Sequence, residues 1–274
     1  MRIGVIGIRS KHLAFFHDSL TRLFPDGSHR ITHICGFDAP ELLVNWPDFV
    51  HCPDPQTLLR NVDAVILALR EGYQHTALAA SVLEAGKPLF VDKPFTCDPH
   101  DARTLASLSQ STGTLCTGGS TICFTEKARQ LQTQLPRQTH YEISYQADPY
   151  SPYGGWYFYG SHLTDLCVSI FGTDFTSVSA FQSGAAVTAV VTYPGFTVTL
   201  RSTAKPQPCL LSADRIYTLD DRGCYDAGML HFVAAAQGKE SGNIAALVRS
   251  VDLLDGIITS LREGQPCPLS PDLA

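Results

Sequence analysis

Short runs rich in β-branched residues alternate with amphipathic segments through the first 119 residues, and this alternation constrains the fold more than any other feature of the chain. Parallel strands need a crossover connection, usually a helix, so the alternation predicts βαβ units and one parallel sheet. The strands are predicted at Arg2–Ile6, Ile31–Phe37, Ala64–Leu69, Pro88–Val91 and Thr114–Thr117, and the helices at His12–Leu23, Gln74–Ala85 and Pro99–Gln110.

The pattern changes near His140, where strands begin to follow one another without intervening helices. Pro194-Gly195 reads as a hairpin turn, which favours antiparallel pairing. We therefore expect an α/β domain over residues 1–119 and an α+β domain with a mainly antiparallel sheet over residues 120–274. In the second domain the strands are predicted at His140–Gln146, Val178–Phe181, Ala186–Tyr193 and Phe196–Ser202, the helices at Ser161–Phe171, Ala227–Ala236 and Asn243–Glu263, and a loop at Tyr150–Tyr159.

The alternating strands between Val178 and Ser202 also bear on assembly. Their outer face is expected to expose a large apolar surface, which is unusual in a monomer. We therefore expect a second copy of the chain to cover it, giving a homo-oligomer, either a dimer or a tetramer.

Composition excludes several classes of function. A net charge of −6 gives no electrostatic reason to expect a nucleic-acid partner. The longest apolar runs, such as Ala64–Leu69, are strand-sized and indicate no membrane partner. The N-terminus runs directly into a strand pattern without a visible signal peptide. Nine scattered cysteines without Cys-x-x-Cys predict reduced thiols in a cytoplasmic protein and no zinc site.

The turn after the first strand has features of a dinucleotide-binding loop. Gly7 stands where a glycine lets the backbone approach a pyrophosphate at a helix N-terminus, but Arg9 and His12 replace the other two glycines of the fingerprint. Asp38, after the second strand, can accept hydrogen bonds from ribose hydroxyls and repel a 2′-phosphate. This favours NAD over NADP, although Arg9 is close enough in sequence to offset the charge. The alternatives are a tight turn without a ligand and a helix cap by Asp38 before Pro40.

The most specific stretch is Leu83–Pro94, which leaves a helix, crosses a strand and ends in Asp92-Lys93-Pro94. It resembles the segment ending in Glu-Lys-Pro of the glucose–fructose oxidoreductase/inositol dehydrogenase (Gfo/Idh/MocA) family. This resemblance implies a Rossmann domain followed by a sheet domain whose open face covers the nicotinamide and often carries the oligomer contact. It extends over nearly the whole chain through Asp38, His75, Tyr153-Gly154-Gly155, Gly160-Ser161-His162-Leu163-Thr164-Asp165 and Met229-Leu230-His231-Phe232.

The resemblance implies that Lys93 and His162 are catalytic. A lysine at the carboxyl edge of a parallel sheet lies where such folds bind ligands, and partial burial lowers its pKa. An imidazole titrates near neutrality and can exchange a proton with a hydroxyl. The alternatives are a solvated lysine in a turn and a structural histidine, and His12, His75 and His231 are interpreted as ordinary surface or core residues. The candidate cofactor-binding residues are Gly7, Ile8, Arg9, Asp38 and Lys93, and the candidate substrate-binding residues are Tyr153, Trp156, Phe158 and His162.

The chain departs from the family pattern at two places. Many members have an aspartate four residues before the histidine, where this chain has Phe158. Asp165 lies three residues after the histidine and is interpreted as a separate acidic position. The family's Thr-Pro-Asn-like loop is replaced by Leu69-Arg70-Glu71-Gly72. The aromatic run around Phe158 is either a stacking wall for a sugar ring or core packing.

Two hypotheses remain. One is an NAD(P)-dependent oxidoreductase that interconverts a hydroxyl and a carbonyl on a small polyol, sugar or sugar-like metabolite, and retention of Lys93 and His162 favours it. The other is a non-catalytic dinucleotide- or ligand-binding sensor or scaffold of the same fold, favoured by loss of the aspartate.

Overall fold

A computed structural model of the 274-residue chain describes residues 1–135, 138–204, 209–212, 215–219 and 223–270. The fold is a parallel Rossmann sheet followed by a second, mostly antiparallel sheet, so the predicted fold class is confirmed. The strands of the first sheet are β1 (Arg2–Ile6), β2 (Arg30–Cys35), β3 (Val50–His51), β4 (Ala64–Leu67), β5 (Leu89–Asp92) and β6 (Cys116–Gly119). The helices among and beside them are α1 (His12–Leu23), α2 (Pro55–Leu59), α3 (His75–Glu84) and α4 (Pro99–Thr112).

The first sheet has the order β3-β2-β1-β4-β5-β6, and every pairing in it is parallel. Strands β4 and β5 are buried along their whole length because helices cover both faces, which explains their continuous apolar runs. The carboxyl ends of β1, β4 and β5 meet at one edge, and this edge positions the residues after each strand.

The second sheet has the order β12-β11-β7-β10-β9-β8-β13, in which β7 and β10 pair in parallel and the other neighbours pair antiparallel. Its apolar inner face packs against α6 and α8. Its strands are β7 (His140–Gln146), β8 (Ser177–Ser183), β9 (Ala186–Tyr193), β10 (Phe196–Thr203), β11 (Cys209–Leu211), β12 (Ile216–Thr218) and β13 (Cys267–Pro268). The helices of this half are α5 (Glu126–Gln134), α6 (Trp156–Phe171), α7 (Cys224–Ala236) and α8 (Ile244–Glu263).

Helix α6 begins at Trp156, five residues before the predicted start, so the predicted loop is too long. Gly155 has a φ of +61° and ends the preceding turn, after which the aromatic residues enter the helix directly. Aromatic residues have modest helix propensity, and tertiary packing overrides it here. A Cβ at Gly160 would lie 2.6 Å from the Trp156 ring, so this glycine makes room for the indole. The consequence is that His162 lies in the second turn of the helix, not the first.

The outer face of the second sheet differs from the expected apolar surface. Its outward positions are mostly polar, and Arg201 on β10 pairs with Glu142 on β7 at 2.9 Å. The prediction of a large apolar face was therefore wrong, because threonines occupy many outward positions of β9 and β10. Oligomerisation remains a prediction without that support.

Helices α7 and α8 return from the second half of the chain to the first sheet. Met229 and Phe232 on α7 join Phe16 and Phe90 in one apolar core, and the Phe90 and Phe232 ring centroids are 5.7 Å apart. Val251 on α8 joins another core that contains β4 and β5. A boundary between residues 119 and 120 thus separates the two sheets. It does not separate the helices, because α7 and α8 of the second half pack against the first sheet. Among the described helices, none has the length and apolar character needed to cross a membrane.

Candidate active site

A cavity of about 300 Å³ lies between the carboxyl edge of the first sheet and helix α6. It contains both Lys93 and His162, although 69 positions separate them in the sequence. The docking of α6 against this edge brings them together. The cavity is lined by Ser10, Lys11, His12, Phe15, Arg70, Lys93, Thr121, Ile122, Tyr145, Phe158, Tyr159, His162, Cys224 and Tyr225.

Lys93 follows the last residue of β5 and is only 4% exposed. Its Nζ lies 3.5 Å from the centroid of the Phe158 ring and 5.3 Å from that of Tyr159, as in a cation–π contact. Burial lowers the pKa of Lys93 to about 8. The Lys93–Pro94 peptide bond is cis. The lysine is therefore a buried ammonium that titrates near neutral pH, and not a solvated residue in a turn.

His162 is half-buried and is held on one side by a hydroxyl group. Its Nδ1 lies 2.8 Å from Ser120 Oγ, and its ring meets the Tyr145 ring at an angle of 85° with centroids 5.1 Å apart. Burial and the positive charge of Lys93 hold the pKa of His162 well below its usual value. The expectation that it titrates near neutrality was therefore wrong, because the site is desolvated and already holds a cation.

Ser120 supplies the hydroxyl group that lies beside His162 Nδ1. It directly follows β6, and its backbone N–H donates to Asp165 Oδ2 at 2.7 Å. Asp165 also accepts a hydrogen bond from Ser250 Oγ, and burial raises its pKa to about 6. Asp165 thus acts on the imidazole only indirectly, through Ser120. Ser120 directly follows a strand of the parallel sheet, and this position is the sequence signal that could have identified it as a site residue.

His12 lines the cavity and is not an ordinary surface residue, in contrast to the interpretation from sequence. Its Nδ1 lies 2.5 Å from Asp92 Oδ2, which ties the start of α1 to the end of β5. His75 is a core residue as expected, since it is fully buried between the carbonyls of Leu69 and Phe95.

The turn at Gly7 lies at the same edge of the sheet. A Cβ on Gly7, whose φ is +90°, would lie 2.9 Å from Leu69 N, so only glycine allows this approach of β1 to β4. The N–H groups of Ile8 and Arg9 donate to the Asp38 carboxylate at 3.0 Å each. Asp38 therefore binds the loop and does not cap a helix. The Arg9 side chain donates to the Asp38 carbonyl oxygen.

These residues fit a dinucleotide. The loop presents backbone donors beside a carboxylate, and Glu71, in the loop after β4, has a buried Oε2 with no hydrogen-bond partner among the described residues. An orphaned buried carboxylate oxygen is costly unless a ligand pairs with it, and a ribose hydroxyl is a suitable donor.

The predicted substrate residues divide into two groups. Phe158 and His162 line the cavity, whereas Trp156 packs in the core of the second sheet and is 5% exposed. Trp156 was thus wrongly placed in the stacking wall. Tyr153 lies outside the lining, but its hydroxyl accepts a 2.8 Å hydrogen bond from Arg70 Nη1, which does line the cavity.

A larger cavity of about 530 Å³ is lined by residues of β6, α5, α6 and α8. Its two basic side chains, His231 and Arg129, both pair with Glu240, with His231 Nδ1 2.7 Å from Glu240 Oε2. None of the site residues predicted from the sequence is among the described residues that line it. The smaller cavity is therefore the candidate active site, because it combines the predicted residues with the carboxyl edge of the sheet.

Residues 1–120 match the model of the GFO_IDH_MocA oxidoreductase family, described as an NAD-binding Rossmann fold. The uncharacterized oxidoreductase YdgJ of Escherichia coli strain K12 is 26% identical over 228 residues, which cover 74% of this chain and 65% of that protein. The alignment thus spans slightly less than two thirds of the relative.

Two of the solved structures that share the fold match it over nearly the whole chain. GenD2 from gentamicin A biosynthesis, in complex with NAD, has a TM-score of 0.82 at 16% identity and covers 98% of this chain and 96% of its own. The UDP-N-acetylglucosamine 3-dehydrogenase GnnA from Acidithiobacillus ferrooxidans has a TM-score of 0.77 at 18% identity, with 96% and 98% covered.

Proposed function

We propose that the chain is an NAD(P)-dependent oxidoreductase of the Gfo/Idh/MocA family that acts on a CH–OH group, because residues 1–120 match the NAD-binding Rossmann fold of that family. The substrate is a small polyol, sugar or sugar-like metabolite whose hydroxyl is interconverted with a carbonyl. The observation that carries the proposal is that Lys93 and His162 share one cavity beside the Gly7 turn. The NAD bound by GenD2 and the sugar-nucleotide dehydrogenase activity in the name of GnnA support the cofactor and substrate class.

The loop of Gly7, Ile8 and Arg9 would hold the dinucleotide, and the Asp38 carboxylate would bind the adenosine ribose. The unpartnered oxygen of Glu71 would accept a hydrogen bond from a further ribose hydroxyl. Asp38 must share its hydrogen bonds with the loop amides or release them when the cofactor binds, since both amides donate to it in this structure.

A bound nicotinamide accepts or supplies the hydride. In the oxidation direction, neutral His162 accepts the hydroxyl proton at Nε2, because Nδ1 faces Ser120 Oγ. The Lys93 ammonium donates a hydrogen bond to the same substrate oxygen and stabilises the negative charge that develops there. The aromatic walls formed by Phe158 and Tyr159 exclude water, which strengthens both interactions.

Cofactor titration followed by a polyol and sugar screen that monitors reduced-nicotinamide absorbance tests this proposal. Turnover of a hydroxyl substrate that requires Lys93 and His162 supports it. Tight dinucleotide binding without turnover of any candidate substrate would favour the sensor or scaffold instead.

We predict that NADH binds about tenfold or more tightly than NADPH, a difference of about 1.4 kcal/mol. The reason is that the Asp38 carboxylate lies beside the loop and repels a 2′-phosphate. Isothermal titration with both cofactors measures it. Asp38→Asn keeps the shape and removes the charge, so it should reduce the preference. Equal or tighter NADPH binding by the unaltered protein would contradict the assignment and point to the neighbouring Arg9 guanidinium.

We further propose that the protein works in the cytoplasm as a homo-oligomer, either dimer or tetramer. Phe181 and Ile216, on strands near opposite edges of the second sheet, are 61% and 70% exposed and supply apolar contact area. Light scattering at micromolar concentration is expected to give the mass of two or four chains. A monomer mass would reject the proposed assembly.

A further inference from the structure

The candidate active-site cavity has an excess of positive charge. Lys11, Arg70 and Lys93 line it, and no aspartate or glutamate is among its described lining residues. The carboxylate of Asp92, next to Lys93 in the chain, is buried and held by His12. Phe158 occupies the position where many family members have an acid. Such a cavity attracts anions, and a cation without a counterion in a desolvated site is unfavourable.

Arg70 is the cation best placed to contact a substrate. It comes from the loop after β4, and its Nη1 donates to the hydroxyl of Tyr153 in the loop before α6. Its guanidinium carbon lies 4.9 Å from the centroid of the Tyr153 ring. The side chain therefore spans from the first sheet to the second half of the molecule, and Tyr153 fixes its orientation.

The guanidinium has donors to spare. Arginine carries five N–H groups in a planar fork that matches the oxygens of a carboxylate or phosphate, and Tyr153 accepts from one of its nitrogens. Among the described residues, no carboxylate forms an ion pair with Arg70. Lys11, in contrast, occupies the N-cap position of α1 beside the Gly7 turn, where the cofactor's pyrophosphate is proposed to lie.

We propose that the substrate is an anionic hydroxy compound, bearing a carboxylate or phosphate group, and that Arg70 binds this group. The inference rests on the proposed function. The reacting hydroxyl lies between Lys93 and His162, and the anionic group extends toward Arg70. Tyr153 is a positioning residue that acts through Arg70.

Matched pairs of probes test the proposal with the NAD-loaded protein. The carboxylate arm compares D-glucuronate with D-glucose and D-galacturonate with D-galactose, and the phosphate arm compares glucose 6-phosphate with glucose. We expect kcat/KM to be at least about tenfold higher for the anionic member of a pair in one arm. That arm then identifies the anionic group.

Arg70→Ala is expected to raise KM for the anionic probe about 10- to 100-fold, the usual loss for a charge-assisted hydrogen bond, with a smaller effect on kcat. Arg70→Lys keeps the charge without the fork and should be intermediate. The Kd for NADH should change less than about twofold in both variants. Arg60→Ala, which removes an exposed arginine bound to Thr57, is the matched control and should change none of these values.

Binding of the same probes to the NADH-loaded protein, measured by thermal shift and calorimetry, separates this inference from the proposed function. Arg70-dependent binding of anionic probes without oxidation would support the anion site and reject the oxidoreductase. Oxidation without preference for the anionic members would leave the oxidoreductase standing and overturn the anion site. An Arg70→Ala variant that loses NADH affinity as strongly as probe affinity, or a protein that binds no anionic probe, would also overturn it.

Discussion

Replacing Lys93 with alanine is expected to lower kcat by about 10²–10³-fold while NADH affinity changes less than about threefold. This loss of kcat is the usual effect of removing one hydrogen-bond donor that stabilises developing charge in a desolvated site. Cofactor affinity should persist because the proposed dinucleotide contacts lie mostly at Gly7 and Asp38. Steady-state kinetics and NADH fluorescence titration measure the two quantities. Lys87→Ala, which removes a lysine whose Nζ donates to the Val62 carbonyl, is the control for loss of a lysine.

The pKa of Lys93 adds a pH dependence to this prediction. Burial lowers that pKa to about 8. Only the protonated amine carries the positive charge that stabilises an alkoxide-like oxygen. Turnover should therefore decline as the pH rises through about 8. Phe158→Asp would place a carboxylate beside the amine, raise the pKa of Lys93 and move this decline to higher pH. A rate that stays level from pH 7 to 9.5 would contradict the assigned role.

The free energy of unfolding distinguishes a loss of catalysis from a loss of folding in Lys93 variants. The pKa of Lys93 is about 8 in the folded protein and 10.5 in the unfolded chain. Between these values the unfolded chain binds more protons, so the free energy of unfolding should rise with pH across that window. Below it the buried ammonium costs about 3 kcal/mol. Lys93→Met should therefore lose as much activity as Lys93→Ala while being at least as stable as the unaltered protein, which separates lost chemistry from lost folding.

Replacing His162 with alanine is expected to lower kcat/KM by about 10²–10⁴-fold, the usual range for a positioned acid or base. The pKa of His162 lies well below 6.5, so the neutral base is available throughout the neutral range. Activity should fall only when the pH drops through that lowered pKa. The alanine variant should lose this acidic decline, and a variant that retains both the rate and the decline would reject His162 as the base.

Ser120 provides a graded comparison, because it acts on His162 and not on the substrate. Ser120→Ala removes the hydroxyl that faces Nδ1 and should lower kcat by about tenfold, as expected for one orienting hydrogen bond. The position of the acidic decline should shift, which a purely structural role would not produce. Ser120→Thr retains a hydroxyl and should restore most of the rate.

The sequence predicts the parts of the site that depend on strand ends. Lys93 and Gly7 follow buried strands whose carboxyl ends must meet, and periodicity alone locates β1 and α1 to the residue. It does not locate contacts made by docking. Ser120 reaches His162 from 42 positions away, and Arg70 reaches Tyr153 from 83 away. The early start of α6 was missed because a Gly-Gly turn and an aromatic run resemble a loop until Gly160 is seen to accommodate Trp156.

The return of α7 to the first sheet has a consequence for how this protein can be divided. Phe90 of β5 and Phe16 of α1 share their core with Phe232, so a fragment ending at residue 119 would expose these rings to water. The dinucleotide-binding half therefore lacks part of its own interior, and the two halves should unfold in a single cooperative transition. Helix α8 packs against both α6, which carries His162, and α4, which follows Lys93 in the chain. We therefore expect Lys93 and His162 to keep a fixed spacing, so that substrate enters without a large hinge opening.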